Sequence, residues 1–208
     1  MPLTLTLLLT LGLTNTAGAL TKLSWESKSP ANSEWTAITL TEIERQYPIL
    51  NTATDMNLLC PNYYNMDMEK RIAAWGELFS AVSLYESNWN PYSQYTEHSL
   101  GIDQVTGKVL QSEGLLQLSY TDTRWAKWCR FDWEYDKNIT DPSKISIMNP
   151  KNNLECGIGI MASQVRRTQK VLLDKGAYWS TLKIKGQRNK INEVARMIVA
   201  RIPQCAKP

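Results

Sequence analysis

Residues 67–91 read DMEKRIAAWGELFSAVSLYESNWNP. Asp67 is a fitting N-cap, and the segment Met68 to Trp89 is expected to be helical. At about 100° per residue, Ile72, Trp75, Phe79 and Val82 fall on one narrow stripe. The same stripe continues through Glu86 to Trp89, while Glu69, Ser80, Ser83 and Ser87 lie opposite. Asn90-Pro91 then stops the helix, because the residue before a proline is pushed out of the helical region. A carboxylate thus stands where an apolar residue belongs. If Glu86 is buried there, desolvation of its charged form raises its pKa, and a carboxyl protonated near neutral pH can donate a proton. If the helix end frays, Glu86 turns outward instead. Periodicity alone leaves both open.

The rest of the chain bounds what this helix can belong to. The sequence has 208 residues, 23 Lys+Arg against 20 Asp+Glu, one His and four Cys. That length suits one domain with one sizeable core. A net charge of +3 is mild and gives no concentrated basic face, so a nucleic-acid partner is not expected. One His excludes any zinc site built on two histidines, and any triad would have to use His98. No metal or cofactor is read. His98 has no G-x-S-x-G elbow to serve and reads as a surface or cleft-rim residue. Eight Trp and nine Tyr beside two Phe favour a surface that is half apolar and half wet.

Residues 1–19, MPLTLTLLLTLGLTNTAGA, have a short apolar run and end in Ala17-Gly18-Ala19. This reads as a secretory signal, although the charged n-region is missing. No later run reaches membrane-spanning length, so a secreted, periplasmic or extracellular monomer is expected. In an oxidising compartment, Cys60, Cys129, Cys156 and Cys205 suggest two disulfides. Their spacing fits no zinc knuckle. Four cysteines allow three connectivities, of which Cys129–Cys156 with Cys60–Cys205 is favoured here.

Residues 20–66 are weakly periodic and read as an N-terminal extension, docked on the core or part of it. A short helix could begin there with Thr39 or Thr41 as cap. Residues 67–208 form the main domain. Leu100 to Leu110 reads as a short β-hairpin turning at Gly107. A helix is expected from Leu115, with Gly114 allowing a close backbone approach. Helices are also expected at Asn153 to about Asp174, with Gly157 and Gly159 permitting tight packing, and at Asn189 to Ile202. The fold class is mostly α, an α+β arrangement with a small β-hairpin.

Three segments in order then resemble motifs of lytic transglycosylases with the goose-lysozyme-like fold. Glu86-Ser87-Asn88-Trp89-Asn90-Pro91 resembles E-S-x-x-[ND]-P. Ser112-Glu113-Gly114-Leu115-Leu116-Gln117-Leu118 resembles S-x-G-L-[ML]-Q-[LI]. Asn149-Pro150 through Asn153-Leu154 to Gly157 resembles D/N-P-x-x-N-[IL]-x-x-G. The resemblance covers about residues 72–178. It implies a lysozyme-like fold with the hairpin beside the cleft, and Glu86 as the catalytic acid. It places Gln117 facing the sugar and Ser112 at the cleft wall. The family's late A-[YF]-N-x-G motif is kept only as Ala177-Tyr178, with Trp179 in place of the Asn. Tyr178 becomes the candidate for a hydrogen bond near Glu86.

The resemblance also implies the substrate, peptidoglycan glycan strands, and the bond, the β-1,4 link between N-acetylmuramic acid and N-acetylglucosamine. Such enzymes use one Glu as acid and then base. Hydrolysis by the same fold, on peptidoglycan or chitin, would call on a second carboxylate, for which Glu97, Asp103 and Glu113 are candidates, Glu97 first. A non-catalytic wall-binding module is the reading from another class. Trp75 reads as core and Trp89 as an apolar wall beside Glu86. Trp125, Trp128 and Trp179 could stack on sugars, although core packing is the commoner role.

Overall fold

The computed structural model describes residues 21–206, so the expected signal segment 1–19 lies outside the described residues. The chain is mainly helical with one small antiparallel sheet. Among the described residues, no helix is long and apolar enough to cross a membrane.

Helix α2, Met68–Ser87, is the centre of the fold. It starts where the sequence predicts: the Asp67 carboxylate accepts the Lys70 amide at 2.8 Å. Every residue from Ile72 to Ser83 is buried. The expectation of one buried stripe facing a polar side is therefore corrected. Serine can be buried on the far face because its hydroxyl finds local partners. Ser80 accepts the Trp25 amide at 3.1 Å, and Ser87 donates to the Leu115 carbonyl at 2.8 Å. The helix ends at Ser87, before Trp89. Asn88 and Trp89 take positive φ of 52° and 55°, and the Asn88 amide returns to the Leu84 carbonyl at 2.9 Å.

The segment before α2 supplies much of what covers it. Leu23, Trp25, Ile43, Leu50 and Tyr63 are fully buried in the same core as α2. Helix α1 spans Ser33–Leu50 and packs on α2 and on α4, Pro150–Thr168, which follows the single-turn helix α3, Trp133–Asp136. The short helix expected near Thr39 is thus the middle of a longer one. Thr36 anchors it by accepting the Trp25 indole N–H at 2.8 Å. Gly76 lets this layer approach, since a Cβ there would come within 2.9 Å of Leu40. Helix α5, Ile191–Arg201, closes the other side of α2, with Val194 and Ile198 buried.

Helix α4 ends at Thr168, short of the expected Asp174, at Gln169 with φ of 53°. Its glycines act as expected: a Cβ at Gly157 would collide with Leu116, and one at Gly159 with the Trp128 indole. The hairpin is longer than residues 100–110. Strands β1, Gln94–Thr96, and β2, Gln111–Glu113, pair in antiparallel register, and an Ile102–Val109 bridge lies inside them. No helix starts at Leu115. Residues 114–117 turn back instead, with Leu118 bridging to Glu113.

The disulfides are Cys60–Cys205 and Cys129–Cys156, as favoured. Two disulfides are consistent with an extracytoplasmic protein.

Candidate active site

The three segments singled out in the sequence meet at one knot around residues 113–118. Gly114, φ 76°, has no room for a Cβ because the Asn153 amide fills that space. The Asn153 side chain accepts the Leu116 amide at 2.8 Å and donates to the carbonyls of Glu113 and Ile147 at 3.1 and 2.9 Å. Ser87 donates to the Leu115 carbonyl, and the Trp179 indole N–H to the Leu116 carbonyl at 2.8 Å. Three distant stretches, 113–118, 147–153 and Trp179, thereby fix the end of α2, which carries Glu86.

Beside this knot opens a cleft of about 1050 Å³. Its lining includes Glu86, Glu97, Ser112, Gln117 and Tyr178, all nominated from the sequence; other nominated residues lie elsewhere. Glu97 enters from the hairpin and accepts a hydrogen bond from Ser112 at 3.1 Å. Gln117, φ 49°, donates to the carbonyls of Ser93 and Gly114 at 3.2 and 2.9 Å. Its side chain thus braces the turn while facing the cleft.

The Glu86 carboxylate accepts a hydrogen bond from the Thr181 hydroxyl. Burial raises its pKa above the ordinary carboxylate value. The Thr181 bond and the Arg188 charge pull it back down, and the Glu97 charge raises it further. Thr181 and Arg188 were not found from sequence; the hydroxyl pair Ser180-Thr181 just after Tyr178 was the only available hint.

Tyr178 makes its hydrogen bond near Glu86 but not to it. Its hydroxyl donates to Asp122 at 2.5 Å, while Thr181 serves Glu86. Asp122 was also missed. It accepts the Ser119 amide at 2.9 Å and lines the cleft, and burial raises its pKa. Burial, with Asp122 beside it, raises the Tyr178 pKa well above the usual phenol value, so Tyr178 stays a donor.

The other carboxylates have different places. Asp103 is buried under the hairpin loop, where it accepts the amides of Val105, Thr106 and Thr121 at 2.8, 3.0 and 2.9 Å. Glu113 is buried, and its pKa is pushed up to about 7 by burial. Neither lines the cleft. Trp89 is no wall for Glu86: its indole N–H turns back to the Ser80 carbonyl at 2.8 Å. Trp179 is buried core with one edge on the cleft. Trp125 and Trp128 are 47% and 36% exposed, and neither lines the cleft. His98 is exposed and lies off the cleft.

The sequence matches no protein-family profile, and no curated protein matches it. Solved structures do match. Wild-type Bd0314 DslA from Bdellovibrio superposes with a TM-score of 0.71 at 24% identity, covering 90% of this chain and all of that one. Two glutamate-to-glutamine variants of the same protein match as well. One has a TM-score of 0.69 at 24% identity and covers 88% of this chain and 96% of that one. The other has a TM-score of 0.70 at 22% identity and covers 90% of this chain and all of that one. The likeness is one of fold.

Proposed function

We propose that the protein is a secreted glycosidase that cleaves the β-1,4 bond between N-acetylmuramic acid and N-acetylglucosamine in peptidoglycan, by lytic transglycosylation with Glu86 as general acid and base. The observation that carries this is the setting of Glu86. Its carboxyl is buried enough to favour the protonated form, yet it opens on a cleft of about 1050 Å³. Protonated Glu86 gives its proton to the glycosidic oxygen as the bond to the sugar carbon breaks. Assistance from the substrate's N-acetyl group shares the developing positive charge. The resulting Glu86 carboxylate then takes the proton of the muramyl 6-hydroxyl, whose oxygen closes the 1,6-anhydro ring. Thr181 holds the carboxylate in that second step by donating to it. The side chains of Ser112 and Gln117, with Tyr178, shape the wall along which the strand lies.

One observation favours hydrolysis as a second reading. Glu97 shares the cleft and is close enough for its charge to act on Glu86, so two carboxylates are available to activate water. Two of the solved neighbours are Glu-to-Gln variants whose substituted positions lie eleven residues apart in that chain, the same separation as Glu86 and Glu97 here.

Digestion of purified sacculi followed by mass spectrometry tests both. Anhydromuramyl ends support transglycosylation, and reducing ends support hydrolysis. Glu86→Gln is expected to abolish product with the fold intact. Full activity in that variant overturns the role of Glu86. Binding to sacculi with no soluble product would identify a wall-binding module instead.

A further inference from the structure

The stretch Thr181-Leu182-Lys183-Ile184-Lys185-Gly186-Gln187-Arg188-Asn189-Lys190 holds four cations and no acid. Within it Gln187, Arg188 and Lys190 line the cavity, to which the hairpin also contributes Glu97, Ser99 and Leu100. Two of the four are already engaged, and Lys183, without an ion pair among the described residues, does not line the cavity. Lys185 pairs with Asp174 at 2.9 Å. Lys190 lies 3.5 Å from Glu193 and 5.9 Å from the centre of the Tyr85 ring. Arg188 differs. Among the described residues it makes no hydrogen bond or ion pair, it is exposed, and it faces the cleft close enough for its charge to act on Glu86.

The cleft lining therefore carries both signs of charge. The hairpin presents Glu97, and Glu86 and Asp122 are the other acids of the lining. A substrate carboxylate is repelled by these acids and attracted to Arg188. A guanidinium also suits the task better than an ammonium, because its planar fork can meet both carboxylate oxygens at once.

We propose that Arg188 is a specificity residue that binds a carboxylate carried on the substrate strand, so the cleft selects acidic glycan over neutral β-1,4-linked N-acetylglucosamine and fixes its direction. This rests on the glycosidase reading above. In peptidoglycan the carboxylate has two sources: the lactyl group of muramic acid where the peptide is absent, or the attached peptide. Both offer the same group to Arg188.

The test compares wild type, Arg188→Gln and Arg188→Lys at a pH low enough to keep Glu86 protonated. The substrates are intact sacculi, strands stripped of peptide by an amidase, the same stripped strands with carboxylates converted to neutral amides, and a neutral N-acetylglucosamine hexamer. Arg188→Gln is expected to raise KM about tenfold on the carboxylate-bearing substrate with less change in kcat, a difference of about 1.4 kcal/mol. Amidation should raise the wild-type KM similarly and leave Arg188→Gln unchanged. Arg188→Lys should retain part of the preference. Dependence on stripped strands assigns the lactyl carboxylate; dependence on intact sacculi alone assigns the peptide. Equal KM for wild type and Arg188→Gln on both acidic substrates overturns the proposal, as does an equal loss on the neutral hexamer. Should wild type cleave none of the substrates, the glycosidase reading fails. Calorimetric binding of the same strands to wild type and Arg188→Gln then still decides whether Arg188 recognises the carboxylate.

Discussion

Replacing Thr181 by Val removes the hydroxyl that donates to Glu86 while keeping a side chain of similar shape. The bond favours the charged carboxylate, so its loss must raise the Glu86 pKa beyond what burial already does. A hydrogen bond to a charged group contributes about 1.5–3 kcal/mol. The protonated acid can also use the hydroxyl, as a donor to it, so the lower part of that range applies. At about 1.36 kcal/mol per pKa unit, the shift is about one unit upward. If Glu86 acts as the acid, the alkaline limb of kcat/KM moves up by the same amount. Thr181→Ser, which keeps the hydroxyl, should leave it in place. A carbon-13 NMR titration of labelled glutamate gives the same pKa without reference to catalysis. Stability follows the same sign. The folded pKa of Glu86 is raised, so its contribution is present below the unfolded value of 4.5 and is lost as pH rises through the folded value. Thr181→Val enlarges that loss at alkaline pH by about 1.4 kcal/mol. A limb and a titration that stay put, or move down, would refute the assignment of Thr181 as the partner that holds the carboxylate.

Glu77 is fully buried, and its pKa is pushed up to about 7 from 4.5 by burial. Its stabilising contribution is therefore present below pH 4.5 and falls by about 3 kcal/mol as pH rises through 7; Glu77→Gln should flatten urea-melt stability over that window. Gly159→Ala drives a methyl group into the Trp128 indole and should cost about 1–3 kcal/mol, read as a lower Tm with altered tryptophan fluorescence. Removing Cys60–Cys205 opens a link of sequence separation 145 against 27 for Cys129–Cys156. In the chain-entropy relation the first is worth about 5 and the second about 3.5 kcal/mol, so serine replacement of the first pair should lower the urea midpoint more.

Helix α2 was legible because its cap, apolar spacing and Asn-Pro stop agree. Helix α1 was not. Its buried face includes Thr36, Thr39 and Glu42, so apolar periodicity is weak, and the helix is held by Trp25 and α4 rather than by its own pattern. Leu115-Leu116-Gln117-Leu118 looks like a helix start because its apolar residues are buried. The turn is imposed instead by Asn153, whose side chain takes the backbone groups that a helix would have used. Glu86, Glu97, Ser112 and Gln117 were visible because they sit within or beside local motifs. Thr181, Asp122 and Arg188 reach the site only through tertiary contact: Thr181 lies 95 positions from Glu86, a separation no spacing rule can register.

Burial alone does not single out Glu86. Glu77, Glu86 and Glu113 all have raised pKa values, each chiefly through desolvation. What separates them is access. Glu77 is sealed behind the N-terminal segment, where the Ser24 amide meets one oxygen at 2.9 Å and the other has no partner among the described residues. Glu113 is closed under the hairpin, where Gln94 donates to it at 2.9 Å. Of these three only Glu86 opens on the cavity, with a hydroxyl donor and a second carboxylate beside it. Asp122 also lines the cavity with a raised pKa, but one of its oxygens already accepts from Tyr178 and from the Ser119 amide and hydroxyl. A proton held by Glu77 or Glu113 has nowhere to go but water that must first enter the core. A proton held by Glu86 faces whatever the cleft binds. Glu77→Gln and Glu113→Gln should therefore alter stability against pH without abolishing cleavage, while Glu86→Gln abolishes it. If either of the first two also abolishes cleavage in a folded protein, access is the wrong criterion and the acid must be sought elsewhere.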